Sequence, residues 1–214
     1  MRYFTSDLHL GDKTVARWRG FGEDVEAHDA LIVAGLSRLT EEDEIWLLGD
    51  LCKANVAGVT ALRELIPCER VHVVVGNHDS RSRLANCRLF DSVDYYDQVG
   101  KVAHEGYKFV MSHYPMLDWD RAYHGAYMLH GHIHTLPPEG YPGEVPPCPC
   151  GREDGGFGLP GYNEWNRDHG IRRFDVGMDA NRYRPVSAQQ IVAFFGDAGA
   201  DRSADGQGLN LLAW

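Results

Sequence analysis

Apolar and polar positions divide this chain into short runs with two different periods. Residues 2–6 (RYFTS) read as a strand that ends at Asp7. Residues 25–39 (VEAHDALIVAGLSRL) carry apolar groups at helical spacing and predict an amphipathic helix. The run EIWLLGD (44–50) reads as a buried strand stopped by Gly-Asp, VAGVTALREL (56–65) as a helix, and the β-branched VHVVVGNHD (71–79) as another strand. RSRLANC (81–87) predicts a short helix. KVAHE and YKFVMSH, on either side of Gly106, predict a β-hairpin. YMLHGH (127–132) and IRRFDVG (171–177) are further strands, and SAQQIVAFF (187–195) is a helix with Ser187 as its N-cap.

These strands share an ending. One after another stops at a turn carrying a side chain able to hold metal: Asp7, Asp50, Asn77, His113 and His132. Sheets of parallel type place their sites just beyond the carboxyl ends of the strands, and the β-α-β-α opening half predicts such an α/β architecture. The expected organisation is a single domain over residues 1–196, with residues 197–214 as a flexible tail whose apolar end, LLAW, docks on this or a neighbouring subunit. Residues 137–170 are dense in Pro and Gly and without period. A structureless segment of that length is uncommon unless functional or disordered. Because it follows His134 directly, it is expected as a loop insertion near the site.

Composition narrows the function. Among 214 residues, 43% are hydrophobic and 24% charged, as in an ordinary globular protein. No apolar run reaches the roughly 18 residues of a membrane span. The opening MRYFTSDLHLGD lacks the apolar core of a signal peptide, so a cytoplasmic protein is expected. A net charge of −10 argues against extended nucleic-acid binding, which wants a basic face. It leaves a phosphate substrate open, because a bound metal inverts the local field. The five cysteines are odd in number, and Cys52, Cys68 and Cys87 are scattered, so no disulfide framework is expected. The spacing of Cys148 and Cys150 is wrong for a usual zinc pair.

Eleven histidines change the picture. His130, His132 and His134 recur at every second position; in a strand they would share a face. Asp7 and His9 have the same spacing, so each pair is expected to face one pocket from an extended chain. A lone strand histidine is ordinarily a packed core residue, but SDLHLGD, LGDLC, GNHD, SHYP and HGHIH together assemble carboxylate, imidazole and amide oxygen without thiolate. Such donors suit Mn, Fe, Co, Ni or Zn. Asp7, His9, Asp50, Asn77, His113, His132 and His134 are too many ligands for one ion and suit two ions sharing a bridging carboxylate. His130 reads as a buried, backbone-bonded support behind them.

Asp-x-His, Gly-Asp, Gly-Asn-His-Asp, Ser-His and Gly-His-x-His, in this order, resemble the calcineurin-like metallophosphoesterase family from Met1 to about Phe195. SHYPMLDW, HGAYMLHGHIH and FDVGMDANRYRPVS are similar to its small prokaryotic and phage members. The sequence departs from many members at Lys53, where they carry a further acid. The resemblance implies a four-layer αββα sandwich, two mixed β-sheets flanked by helices. It also implies two divalent ions, with manganese favoured: Asp7, His9 and His134 on the first, Asn77, His113 and His132 on the second, and Asp50 bridging.

Two ions ~3.5–4 Å apart clamp the oxygens of an in-line displacement and lower the pKa of a shared water towards ~7. Set against Asp7, Asp50 and a metal-bridging hydroxide, their charge leaves the site roughly one unit positive, which favours a phosphate anion. His78 is expected as the catalytic group that protonates the leaving oxygen or steadies the phosphoryl charge, with Asp79 holding its tautomer. The expected enzyme is a hydrolase of phosphodiester bonds in a small substrate such as a cyclic nucleotide. A phosphomonoesterase or protein phosphatase, a nuclease, and a scaffold without catalysis remain as alternatives. Oligomeric state is not readable. His124 reads equally as a phosphate contact or a surface residue; Trp119 and Trp165 as base-stacking groups or as pins for their loops. Cys52 reads as a small buried apolar group, and His28, His72, His104 and His169 as structural or solvated.

Overall fold

A computed structural model describes residues 1–52, 55–99, 106–137 and 160–196. Lys53, His104, Cys148, Cys150, most of the Pro/Gly-rich segment and the tail from residue 197 lie outside the described residues.

Two mixed sheets form the centre. In the first, β1 (Arg2–Thr5), β2 (Glu44–Leu47), β3 (Arg70–Val74) and β4 (Ser92–Asp94) run parallel, and β9 (Val186–Ser187) closes the β1 edge antiparallel, giving the order β4-β3-β2-β1-β9. In the second, β6 (Phe109–Ser112), β7 (Tyr127–His130) and β8 (Arg173–Asp175) are parallel and β5 (Tyr96–Val99) is antiparallel at the edge. The helices are α1 (Lys13–Trp18), α2 (Val25–Leu36), α3 (Val56–Glu64), α4 (Arg81–Asn86), α5 (Tyr162–Asp168) and α6 (Ala188–Phe194).

The period of two sorts side chains between layers. Ile45, Leu47, Val71 and Val73 join Ile32 and Leu36 of α2 and Val59 and Leu62 of α3 in one cluster. Phe4, Trp46, Leu48 and Val74 face the other way and meet Phe109, Met111, Tyr127 and Leu129 of the second sheet, with Ile191 and Val192 of α6. Val110 and Met128 point to the far side of that sheet, where Met116 and Trp119 cover them. Strands buried on both faces read as continuous apolar runs, which is why EIWLL and VHVVV lack polar alternation. The result is the expected layering, two mixed sheets flanked by helices. Among the described residues no helix is long and apolar enough to cross a membrane.

The strand paired with β6 is β5, which immediately precedes KVAHE; KVAHE itself (101–105) lies outside the described residues. The Pro/Gly-rich segment is not structureless at its described end: α5 sits there against β8, with Asn163 bonding the backbone N–H and C=O of Asp175. The last helix starts as expected and more firmly, since Ser187 and Gln190 form a reciprocal capping box.

The sheets meet at their carboxyl ends. Ser6, just past β1, bridges Gly177, just past β8, and the N–H of Met178 bonds Ser6 O at 3.1 Å; beside them, within the second sheet, Gly131 N–H bonds His113 O at 3.0 Å. Gly131 stands where the backbones crowd. A Cβ there would overlap Ser6 Oγ and Asp7 Oδ2, both buried. Gly131→Ala is therefore expected to cost at least about 1–3 kcal/mol in urea unfolding, the range for overpacking a closed site. Gly20→Ala, with a φ of 84° but open space, should cost only about 1 kcal/mol.

Candidate metal centre

Loops leaving β1, β2, β3, β6 and β7 converge beyond that junction. They bring together Asp7, His9, Asp50, Asn77, His113, His132 and His134, with His78 and Asp79 beside them. The means of convergence differs from the strand-face expectation. β1 ends at Thr5 and β7 at His130, before either ligand pair begins. Asp7, His9, Asp50, His132 and His134 have φ of 58°, 49°, 56°, 72° and 46°. Left-handed backbone at non-glycine residues is uncommon and strained, and it clusters at functional sites. Here it turns each side chain inward, so the pairs meet through kinks and not through strand alternation.

Two groups result. One ligand atom from each of Asp7, His9 and His134 lies within 4.8 Å of the others, and Asp50, His113 and His132 satisfy the same limit. Asp50 Oδ2 stands between them, 3.3 Å from His113 Nε2 and 3.6 Å from His9 Nε2. Asn77 Oδ1 joins the second group at 2.9 Å from His113 Nε2. The residues fit divalent ions on a further count: His9 Nε2 is buried with no hydrogen-bond partner in the structure. A buried polar atom without a partner is costly, and a cation beside these carboxylates would satisfy it.

Hydrogen bonds behind the groups fix their aim. His113 Nδ1 donates to Leu48 O at 2.8 Å, and His134 Nδ1 donates to Asp179 Oδ2 at 2.8 Å, so each directs Nε2 inward. Asp7 accepts from Ser6 Oγ at 2.6 Å and from the His132 N–H at 3.0 Å. The charges are strongly coupled. Burial alone would raise the Asp50 carboxyl, yet the His113 imidazole, the His78 N–H and His9 hold it down at about 2. Burial would lower His113, but the Asp50 and Asp7 carboxylates and Leu48 O lift it to about 9. His9 is pushed well down, first by burial and then by the positive field of His134 and Arg19.

Asp79 does something other than orient His78. Its Oδ2 accepts the N–H of Asp50 at 2.8 Å and of Gly76 at 2.9 Å, and its Oδ1 accepts the N–H of Leu51 at 3.1 Å. It clamps the β2 loop to the β3 loop through backbone. This corrects the tautomer-holding role expected of it: both oxygens face amides, not the His78 ring. His78 is exposed, its ring 5.3 Å from that of His9, while its N–H bonds Asp50 Oδ1 at 2.8 Å.

The remaining histidines separate cleanly. His130 is fully buried with the even-numbered side chains of β7, bonded to Gly131 O at 2.9 Å and set edge-on to Tyr162; burial takes it down to about 3. His124 is exposed in the turn entering β7, at the opposite end from the site. His72 stacks on Trp46, and His169 on Trp165. Trp119 is pinned through Ala126 O, and the Cys52 thiol is raised by burial to about 11. Gly161 N–H, just before α5, bonds Leu136 O, two residues past His134. Sequence reasoning missed Tyr114, whose half-exposed ring lies 4.5 Å from that of His132. It also missed Arg19 and Asp179. For Tyr114 the signal was there in SHYP, and for Asp179 in FDVGMDANRYRPVS; for Arg19 nothing local marks it.

Known proteins resemble this chain in sequence and in fold. Residues 3–145 match the model of the calcineurin-like phosphoesterase superfamily domain. The chain is 38% identical over 80 residues to the Gene 66 protein of Mycobacterium phage L5, covering 36% of this chain and only 39% of that relative's length. It is 30% identical over 157 residues to the Gene 66 protein of Mycobacterium phage D29, covering 62% of this chain and 78% of the relative. A crystal structure of a protein of unknown function from Aquifex aeolicus shares the fold, with a TM-score of 0.60, 21% identity, and coverage of 90% of this chain and 98% of that one.

The Asp79 clamp has a measurable consequence. Asp79→Ala leaves three N–H groups without their acceptor and is expected to lower the unfolding free energy by about 3 kcal/mol. Metal binding should weaken with it, because the Asp50 loop is then no longer held. Stability and metal content equal to wild type, with only an altered pH–rate profile, would return Asp79 to proton transfer.

Proposed function

The chain belongs to the calcineurin-like phosphoesterase superfamily, and from that membership we propose a metal-dependent hydrolase that cleaves phosphodiester bonds of a small substrate. The observation that carries the reading is the single carboxylate oxygen of Asp50 standing between two groups of inward-facing ligands. In this reading Asp7, His9 and His134 hold one divalent ion, Asn77, His113 and His132 hold a second, and Asp50 serves both.

When bound, such ions supply Lewis acidity towards a phosphoryl oxygen and a lowered pKa for water. The protein supplies the rest. Asp79, Leu48 and Asp179 keep the ligands aimed. His78, free at the exposed lip beside His9, gives a proton to the departing oxygen. The groups described at the lip, His78, Asn77 and Tyr114, carry no permanent positive charge. That suits a singly charged diester better than a doubly charged monoester. It also supports a compact substrate, since no basic track is needed to follow a polyanion.

A metal-reconstituted assay tests this directly. Loaded in turn with Mn, Fe, Co, Ni and Zn, the protein is expected to hydrolyse bis-p-nitrophenyl phosphate faster than the p-nitrophenyl monoester, with cyclic nucleotides as the natural panel to follow. A strong monoester preference turns the reading to a phosphomonoesterase. His78→Ala is expected to lower kcat about 10²–10⁴-fold with metal content intact; loss of metal would make His78 a ligand instead.

A further inference from the structure

Arg19, the residue that ends α1, has a fully buried side chain. All five of its N–H donors are in use. Nε bonds Asp179 Oδ1 at 2.8 Å, and Nη2 bonds Asp179 Oδ2 at 2.6 Å and Asp7 O at 2.7 Å. Nη1 bonds Leu8 O at 3.3 Å and His28 Nε2 at 2.9 Å. A guanidinium only donates, so His28 Nε2 accepts, and His28 Nδ1 carries the proton taken by Asp29 Oδ1 at 2.7 Å. On the other side, Asp179 Oδ2 accepts from His134 Nδ1.

The arrangement joins two ligands that come from different sheets. Arg19 fixes the carbonyl of Asp7, which the left-handed turn at that residue directs away from the strand ladder. Through Asp179 it fixes the ring of His134, leaving Nε2 3.6 Å from Asp7 Oδ1. A buried ion pair adds little net stability over an apolar pair of similar shape. A carboxylate behind a ligating imidazole, by contrast, fixes its tautomer and raises its basicity.

We propose that Arg19 and Asp179 are positioning residues that set His134 and Asp7 in ligand geometry before an ion arrives. The proposal rests on the metal-binding reading of this site, not on the reaction it catalyses. His28 and Asp29 extend the same support to the face of α2.

The test titrates Mn²⁺ alone into the full-length protein by competition with a chelating dye, and follows imidazole nitrogen-bound protons by NMR in the metal-free protein. Wild type should show a hydrogen-bonded, downfield His134 Nδ1–H signal and bind Mn²⁺. Asp179→Asn is expected to shift that signal upfield and to weaken one Mn²⁺ binding step by 10–100-fold. Arg19→Lys keeps the charge but has three donors for five acceptors, so it should show the same losses without rescue. A folded variant with lowered melting temperature but unchanged Mn²⁺ affinity and an unchanged His134 signal would overturn the proposal, leaving a purely structural ion pair. Absence of the signal in wild type would overturn it even if neither variant folds. Failure of wild type to bind Mn²⁺ would sink the metal-binding reading itself, a distinct outcome.

Discussion

The bridge between Ser6 and Gly177 ties the carboxyl end of one sheet to that of the other, above their shared apolar interface, and the site depends on it. Because the strands on both sides are parallel, their carboxyl ends point the same way. Tying β1 to β8 therefore gathers the loops of both sheets over one spot. Each loop must then turn sharply within one or two residues. Small residues give way where backbones touch, as Gly131 does between Ser6 and Asp7, and left-handed turns at Asp7, His9, Asp50, His132 and His134 aim the side chains.

Those turns are costly. Left-handed backbone at a non-glycine residue is unfavourable by roughly 1–2 kcal/mol, and five such residues sit within one site. The N–H groups freed by turning find specific acceptors. His9 N–H bonds Asp50 O at 2.9 Å, Asp7 N–H bonds Gly49 O at 2.9 Å, and His132 N–H bonds the Asp7 carboxylate. The apolar layers below hold the strand ends still, so strain is concentrated where it preorganises ligands and is offset elsewhere in the core.

Electrostatics follows the same division. Asp7, Asp50, Asp175 and Asp179 are all buried within one region of an already acidic protein. Burial and the nearby Asp7 charge raise the Asp175 carboxyl to about 7, despite bonds from Gly177 and Thr135. Arg19 and the lifted His113 balance part of this charge. A partnerless His9 nitrogen among carboxylates leaves room for cations to balance the remainder.

By itself the sequence determined which runs form the central strands and which donors follow them, because apolar runs broken by Gly-Asp, Gly-Asn-His-Asp and Gly-His-x-His are local features. It also marked His130 as a support and Ser187 as a cap, since both roles depend on immediate neighbours. Only the tertiary structure decided how the ligands face one another. Period two predicts a shared face for Asp7 and His9, but left-handed turns at ordinary residues leave no mark in propensity. Asp79 looked like the partner of His78 beside it and instead clamps backbone across two loops, a choice set by how those loops pack. Arg19 and Asp179 lie 160 residues apart, and their contact exists only once the two sheets have joined.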